Sequence, residues 1–154
     1  MDQTEQEALQ RQLDNRDKPL FMKPGHCAGD LVEAYKWNTL REEPGLLELD
    51  VHLPEQLLNP RRQLFGGFTG TYVDMAAIYT VRTLFADKPG FTWSSTVNMR
   101  IDYLQPVTGP RFRIRSEVLN DGRTTTLVAT WFLDLAGNNL VYAITTLRKY
   151  TQAT

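Results

Sequence analysis

Two periodicities divide the chain. Leu47, Leu49, Val51 and Leu53 alternate with Glu48, Asp50 and His52, the period-two pattern of a strand with one face in the core and one in water. From Phe68 to Ala86 that alternation disappears: the segment is apolar almost throughout, and its only charged residues are Asp74 and Arg82. A helix that is apolar nearly all round is a buried helix, so the pattern predicts a long central helix, ended by Asp87-Lys88-Pro89-Gly90. Extended patterns then return. Phe91 to Leu104 is rich in Thr, Val, Ile and aromatics, and Gln105 to Pro110 turns the chain. Arg111 to Leu119 places Phe112, Ile114, Ser116 and Val118 on one face. Asn120-Asp121-Gly122-Arg123 is a hairpin signal, Thr124 to Leu135 a strand, Ala136 to Asn139 a turn, and Leu140 to Tyr150 the last strand. The expected order is strand, buried helix, then four mostly meandering antiparallel strands, an α+β arrangement.

One five-stranded sheet cannot bury a helix on all sides. Its remaining face calls for the amino-terminal segment or a second copy of the chain, most simply in a two-fold dimer. In that segment, Gln3 to Arg16 has Leu9 and Leu13 four apart, a peripheral helix or a partly disordered tail. Asp17 to Gly29 reads as loop, and Asp30 can cap a short helix through Trp37. The expected division is a helical and loop extension over residues 1–42 and a main domain over 43–154.

The 154 residues fit one domain, and 42% apolar with 10% aromatic residues suffices for a core. A formal net charge of -1 gives no global electrostatic case for nucleic acid or an anionic membrane. Cys27 is the only cysteine, which excludes an internal disulfide and suggests a reducing compartment. Residues 1–16 lack the apolar core of a signal peptide, and no run approaches the ~20 apolar residues of a spanning helix. The expectation is a cytoplasmic protein with no nucleic-acid or membrane partner.

Chemistry concentrates between Asn59 and Asp74, where Gln63-Leu64-Phe65-Gly66-Gly67 opens into the apolar helix. A carboxylate on a buried helix must be hydrogen-bonded, paired or functional, because an unpaired buried charge is costly. Arg82 lies eight positions beyond Asp74, about 12 Å along a helix axis, and is no partner. Asp74 is therefore either bonded to a neighbouring hydroxyl, with Thr69 and Thr71 near in sequence, or active as an acid or base. Gly66 and Gly67 make a tight turn or bring backbone donors close to a ligand. Asn59, before Pro60, satisfies its own turn or offers its amide. His26 and His52, the only histidines, are on different elements and make no metal site, and no phosphate-binding loop or dinucleotide fingerprint occurs. No cofactor is expected.

Taken in order, these residues resemble the hotdog-fold acyl-CoA thioesterases of the PaaI type. The family pattern is Asn, five residues, His-Gly-Gly, six residues, then Asp. Asn59, Gly66, Gly67 and Asp74 stand at those spacings, with Phe65 in place of the His. Tyr103-Leu104-Gln105-Pro106, Gly122-Arg123 and Asp134-Leu135-Ala136-Gly137 are similar to the later turns, so the resemblance spans roughly Glu43 to Tyr150. It implies a curled antiparallel sheet wrapped around one long central helix, assembled as a homodimer or a dimer of dimers. It further implies acyl-CoA hydrolysis, with Asp74 as base or nucleophile opposite the partner's Gly-Gly pair and Gly66 and Gly67 as oxyanion donors. Asn59 would be an orienting amide, and Thr96 would help to orient Asp74. Arg61 and Arg123 are the better candidates for CoA phosphate, ahead of the Arg111, Arg113 and Arg115 stripe. Phe65, Phe68, Tyr72, Tyr79 and Trp93 are either an acyl pocket or core. With Phe65 replacing the His, the alternative is a hotdog protein that binds acyl-CoA or another apolar ligand without turnover.

Overall fold

The computed structural model describes residues 37–85, 88 and 90–151. The helix expected over Gln3 to Arg16, the loop with His26 and Cys27, and residues 30–36 lie outside the described residues. Six strands and one long helix follow: β1 (Trp37–Glu43), β2 (Leu46–His52), α1 (Gly66–Thr83), β3 (Phe91–Tyr103), β4 (Arg111–Asp121), β5 (Thr125–Leu133) and β6 (Asn139–Thr151). All six strands form one antiparallel sheet in the order β1-β2-β4-β5-β6-β3, curled around α1. This is the hotdog fold.

The hydrophobic pattern translates directly into the core. Leu47, Leu49, Val51 and Leu53 are buried, as are Phe112 and Ile114 beside them on β4. Tyr72 of α1 packs edge-on against Phe112 and Phe132, with ring centroids 5.6 and 6.3 Å apart. Its burial drives the phenol pKa well above the ordinary value. Half the helix, from Thr69 to Val81, is buried, in keeping with its nearly uniform apolar character.

Two expectations need correction. The sheet has a sixth strand, β1, which pairs with β2 through the Pro44-Gly45 turn, and Trp37, expected to end a short helix, opens that strand. Trp-Asn-Thr-Leu-Arg-Glu-Glu carries no alternation, because β1 lies at the sheet edge with a bulge between Thr39 and Arg41, and Leu40 is exposed. The strands after the helix mostly meander, as expected. β4, β5 and β6 are consecutive neighbours, but β3 pairs with β6 and not β4. The helix carries the chain across the sheet's inner face, so β3 enters at the edge opposite β1.

Candidate active site

The segment leading into α1 is fixed by backbone bonds. Asn59 Oδ1 accepts from the N–H groups of Arg61 (2.9 Å) and Gln63 (3.1 Å), closing a turn on its own side chain. Arg62 occupies the left-handed region at φ 58°, a conformation that favours glycine. The Leu64 N–H donates to Val107 O (2.8 Å) and the Phe65 N–H to Leu57 O (2.9 Å), which locks the strand-to-helix junction to two other loops. Phe65 is the N-cap and supplies no side-chain acceptor. The first N–H groups to bond back are those of Phe68 and Thr69, both to Phe65 O. The N–H groups of Gly66 and Gly67 are thus unpaired among the described residues, with no acidic side chain in the first turn to compete for them. Helix starts of this kind attract negative charge.

Asp74 lies two turns further on, half-buried, and accepts a short hydrogen bond from Thr96 Oγ1 of β3. The nearby hydroxyls do not serve it: Thr71 Oγ1 donates to Gly67 O at 3.4 Å. No lysine or arginine among the described residues forms an ion pair with Asp74. Sequence proximity favoured Thr69 and Thr71; the contact is made by Thr96, 22 positions away, the residue the family resemblance implied beside Asp74. Thr96 precedes a bulge at which Val97 is 61% exposed, so the pair stands at the open edge of the sheet. Along the helix Asp74 is seven residues from Gly67, about 10 Å at 1.5 Å per residue.

The aromatic candidates separate. Phe65 is 55% exposed beside Gly67, edge-on to the half-buried Phe68 at 6.3 Å. A Cβ on Gly67 would meet the Phe65 ring at 3.0 Å, so glycine there permits the ring's position. Tyr72 is core, and Trp93 is exposed on β3 next to the buried Ser94, on the strand face turned away from the core. Tyr79 is half-buried against the core. Among the arginines, Arg111 pairs with Asp50 and Arg115 with Glu48 and Glu117, so two of the three in that stripe are ion-paired, while Arg113 is exposed. Arg61 and Arg123 are exposed and free of ion pairs among the described residues. A shallow concavity of about 800 Å³ lies at the end of β3, where Tyr103 and Leu104 meet Trp131 and Tyr142. One contact was absent from the sequence expectations: the Tyr103 hydroxyl donates to Gly66 O at 3.0 Å. The only signal for it was the Tyr103-Leu104-Gln105-Pro106 turn, which marks a strand end and says nothing of the residue across from it.

Residues 63–130 match the model of the thioesterase superfamily. No curated protein matches. Among solved structures, the chain is similar to a hypothetical thioesterase of Streptococcus pneumoniae with coenzyme A, at 21% identity over 77% of this chain and 88% of that one, TM-score 0.68. It is similar to a Streptococcus mutans protein bound to acetyl-CoA, at 16% identity over 90% and 100%, TM-score 0.71. A phenylacetic acid degradation-related protein of Ralstonia eutropha gives 23% identity over 82% and 92%, TM-score 0.68.

Proposed function

We propose that this hotdog-fold chain, with its thioesterase-superfamily segment, is a cytoplasmic enzyme that hydrolyses an acyl-CoA thioester. The supporting observation is that Asp74, on a half-buried helix, is held by the Thr96 hydroxyl and, among the described residues, by no cation. A carboxylate oriented by one hydroxyl keeps lone pairs for a water molecule or a carbonyl carbon. In the general-base route, Asp74 takes a proton as water adds to the thioester carbonyl. Negative charge then develops on the carbonyl oxygen, where the unpaired N–H groups of Gly66 and Gly67 offer donors. One such donor is worth about 2.7–4 kcal/mol in comparable sites. Collapse of the adduct breaks the C–S bond, and the CoA thiolate regains the proton from Asp74. In the nucleophilic route, Asp74 itself adds to the carbonyl carbon, the adduct expels the CoA thiolate as the C–S bond breaks, and water then cleaves the resulting anhydride, restoring the Asp74 carboxylate and releasing the proton that the thiolate takes up.

The family resemblance, which sets Asp74 opposite a partner's Gly-Gly pair, supports a site shared by two chains. β3 is a 13-residue edge strand whose outer side is unpaired among the described residues, and it carries Thr96 with Asp74 beside it. Such an edge is a template for pairing with another strand. A two-fold dimer joined there would set the Asp74 of one protomer opposite the partner's Gly-Gly pair, with a dimer of dimers as the larger assembly. Asn59, whose Oδ1 is committed to its turn, retains its amide N–H groups as donors toward the carbonyl. Phe65 and Phe68 flank the acyl group, and Arg61 and Arg123 offer forked donors to CoA phosphates.

Release of free thiol from short-chain, long-chain and aromatic acyl-CoAs tests the proposal, with Asp74→Asn beside the wild type. Turnover by the wild type that disappears in Asp74→Asn supports it. A second function is favoured by one observation: Phe65, an exposed aromatic without proton chemistry, stands beside the Gly-Gly pair. Binding without turnover then predicts thermal stabilisation by CoA esters, no thiol release from any of them, and little effect of Asp74→Asn on affinity.

A further inference from the structure

Both ends of the Tyr103–Gly66 hydrogen bond are anchored by main-chain bonds. On the β3 side, Tyr103 pairs with Val141, and the next two N–H groups, of Leu104 and Gln105, both donate to Leu140 O at 3.0 and 2.9 Å. On the helix side, the Leu64 and Phe65 N–H bonds fix the junction. Tyr103 is 59% exposed, yet its ring lies 3.8 Å from the position a Gly66 Cβ would occupy, and its hydroxyl reaches the Gly66 carbonyl. Phe65 stands against Gly67 in the same way, so an aromatic ring flanks each glycine of the pair.

The Gly66 C=O and the Gly67 N–H belong to one planar, conjugated peptide unit. A donor on that oxygen draws electron density toward it and leaves the N–H more positive, and it also restrains rotation of the peptide plane. Bonds arranged in series strengthen one another by roughly 10–30% each in condensed phases. The Gly67 N–H has no acceptor within the described chain.

We infer that Tyr103 is a positioning residue for the thioester chemistry: its hydroxyl polarises the Gly66–Gly67 peptide and holds the Gly67 N–H toward the developing oxyanion. This rests on the oxyanion role proposed above for Gly66 and Gly67. The competing explanation is that the hydroxyl only fastens β3 to the helix start, which predicts lower stability and no specific effect on turnover.

Tyr103→Phe removes the hydroxyl and keeps the ring. Weakening one donor is a fraction of deleting it, so kcat should fall by about twofold to eightfold at unchanged KM, with little change in thermal midpoint. The Gly67 amide proton resonance gives a readout independent of turnover. It should move upfield in Tyr103→Phe while other helix amides stay, because the ring current is retained and only the polarising bond is lost. An unmoved Gly67 amide, an unchanged kcat, or an effect confined to KM would each overturn the inference. Asp74→Asn, assayed alongside, separates the two levels. If Asp74→Asn abolishes turnover while Tyr103→Phe retains all of it, the role of Tyr103 alone fails. If the wild type releases no thiol, or Asp74→Asn retains full turnover, the thioesterase proposal fails and the role of Tyr103 with it.

Discussion

Thr96→Val isolates the hydrogen bond on which the candidate site depends. Valine nearly matches threonine in shape and suits a strand, so the substitution removes one donor and little else. The bond joins β3 to α1 and ends on a half-buried carboxylate with no ion-pair partner among the described residues. Hydrogen bonds to charged groups contribute about 1.5–3 kcal/mol. In a chain of this size about 1 kcal/mol shifts the thermal midpoint by ~2–4 °C, so Thr96→Val should lower it by roughly 3–12 °C at neutral pH. The decisive comparison repeats the change in an Asp74→Asn background, where the acceptor is a neutral amide and the bond contributes only about 0.5–1.5 kcal/mol. Urea denaturation of all four proteins, at one fixed protomer concentration, gives the coupling directly. A coupling of about 1 kcal/mol or more identifies a charge-assisted bond to Asp74. Equal costs in both backgrounds would refute the argument and leave Thr96 a packing residue.

Two further predictions concern the loops around the sheet. Arg62→Gly should be neutral or slightly stabilising, because relief of the left-handed conformation at φ 58° offsets loss of the exposed pair with Glu55. Arg62→Val should cost about 1–2 kcal/mol in the same denaturation assay; equal stability of the two variants would contradict the assigned backbone strain. At the far hairpin, burial raises the Asp121 pKa, but hydrogen bonds from Lys149 and Thr126 outweigh it and hold the carboxyl below its ordinary value. A depressed folded-state pKa stabilises the fold above the unfolded value near ~3.9, and that contribution fades as pH falls through it. Asp121→Asn should therefore flatten the loss of stability between neutral pH and about pH 3, and a wild-type-like pH profile would refute the assignment.

The sequence by itself determined the elements that bury one face or all faces. Alternation in Leu47 to Leu53 and in Phe112 to Val118, and the unbroken apolar run after Phe68, follow from side-chain period and the need to remove apolar surface from water. They appear as β2, β4 and α1. The same logic flagged Asp74, since a lone carboxylate in an apolar run demands a partner. Edge strand β1 left no such mark, because Leu40 is exposed and a bulge breaks its period.

Period and spacing left open who meets whom, and the tertiary structure decided it; for Thr96 and Asp74 the family resemblance pointed the same way. Which strand pairs with β3 depends on where α1 deposits the chain, and no local pattern records that. Thr96 rather than Thr71 takes Asp74, and Tyr103 rather than a cap residue takes Gly66, because a strand 13 residues long lies across the helix and brings distant hydroxyls within hydrogen-bonding reach. Sequence fixes period and polarity over a few residues. Contacts between residues 22 and 37 positions apart are set by how the whole sheet closes on its helix.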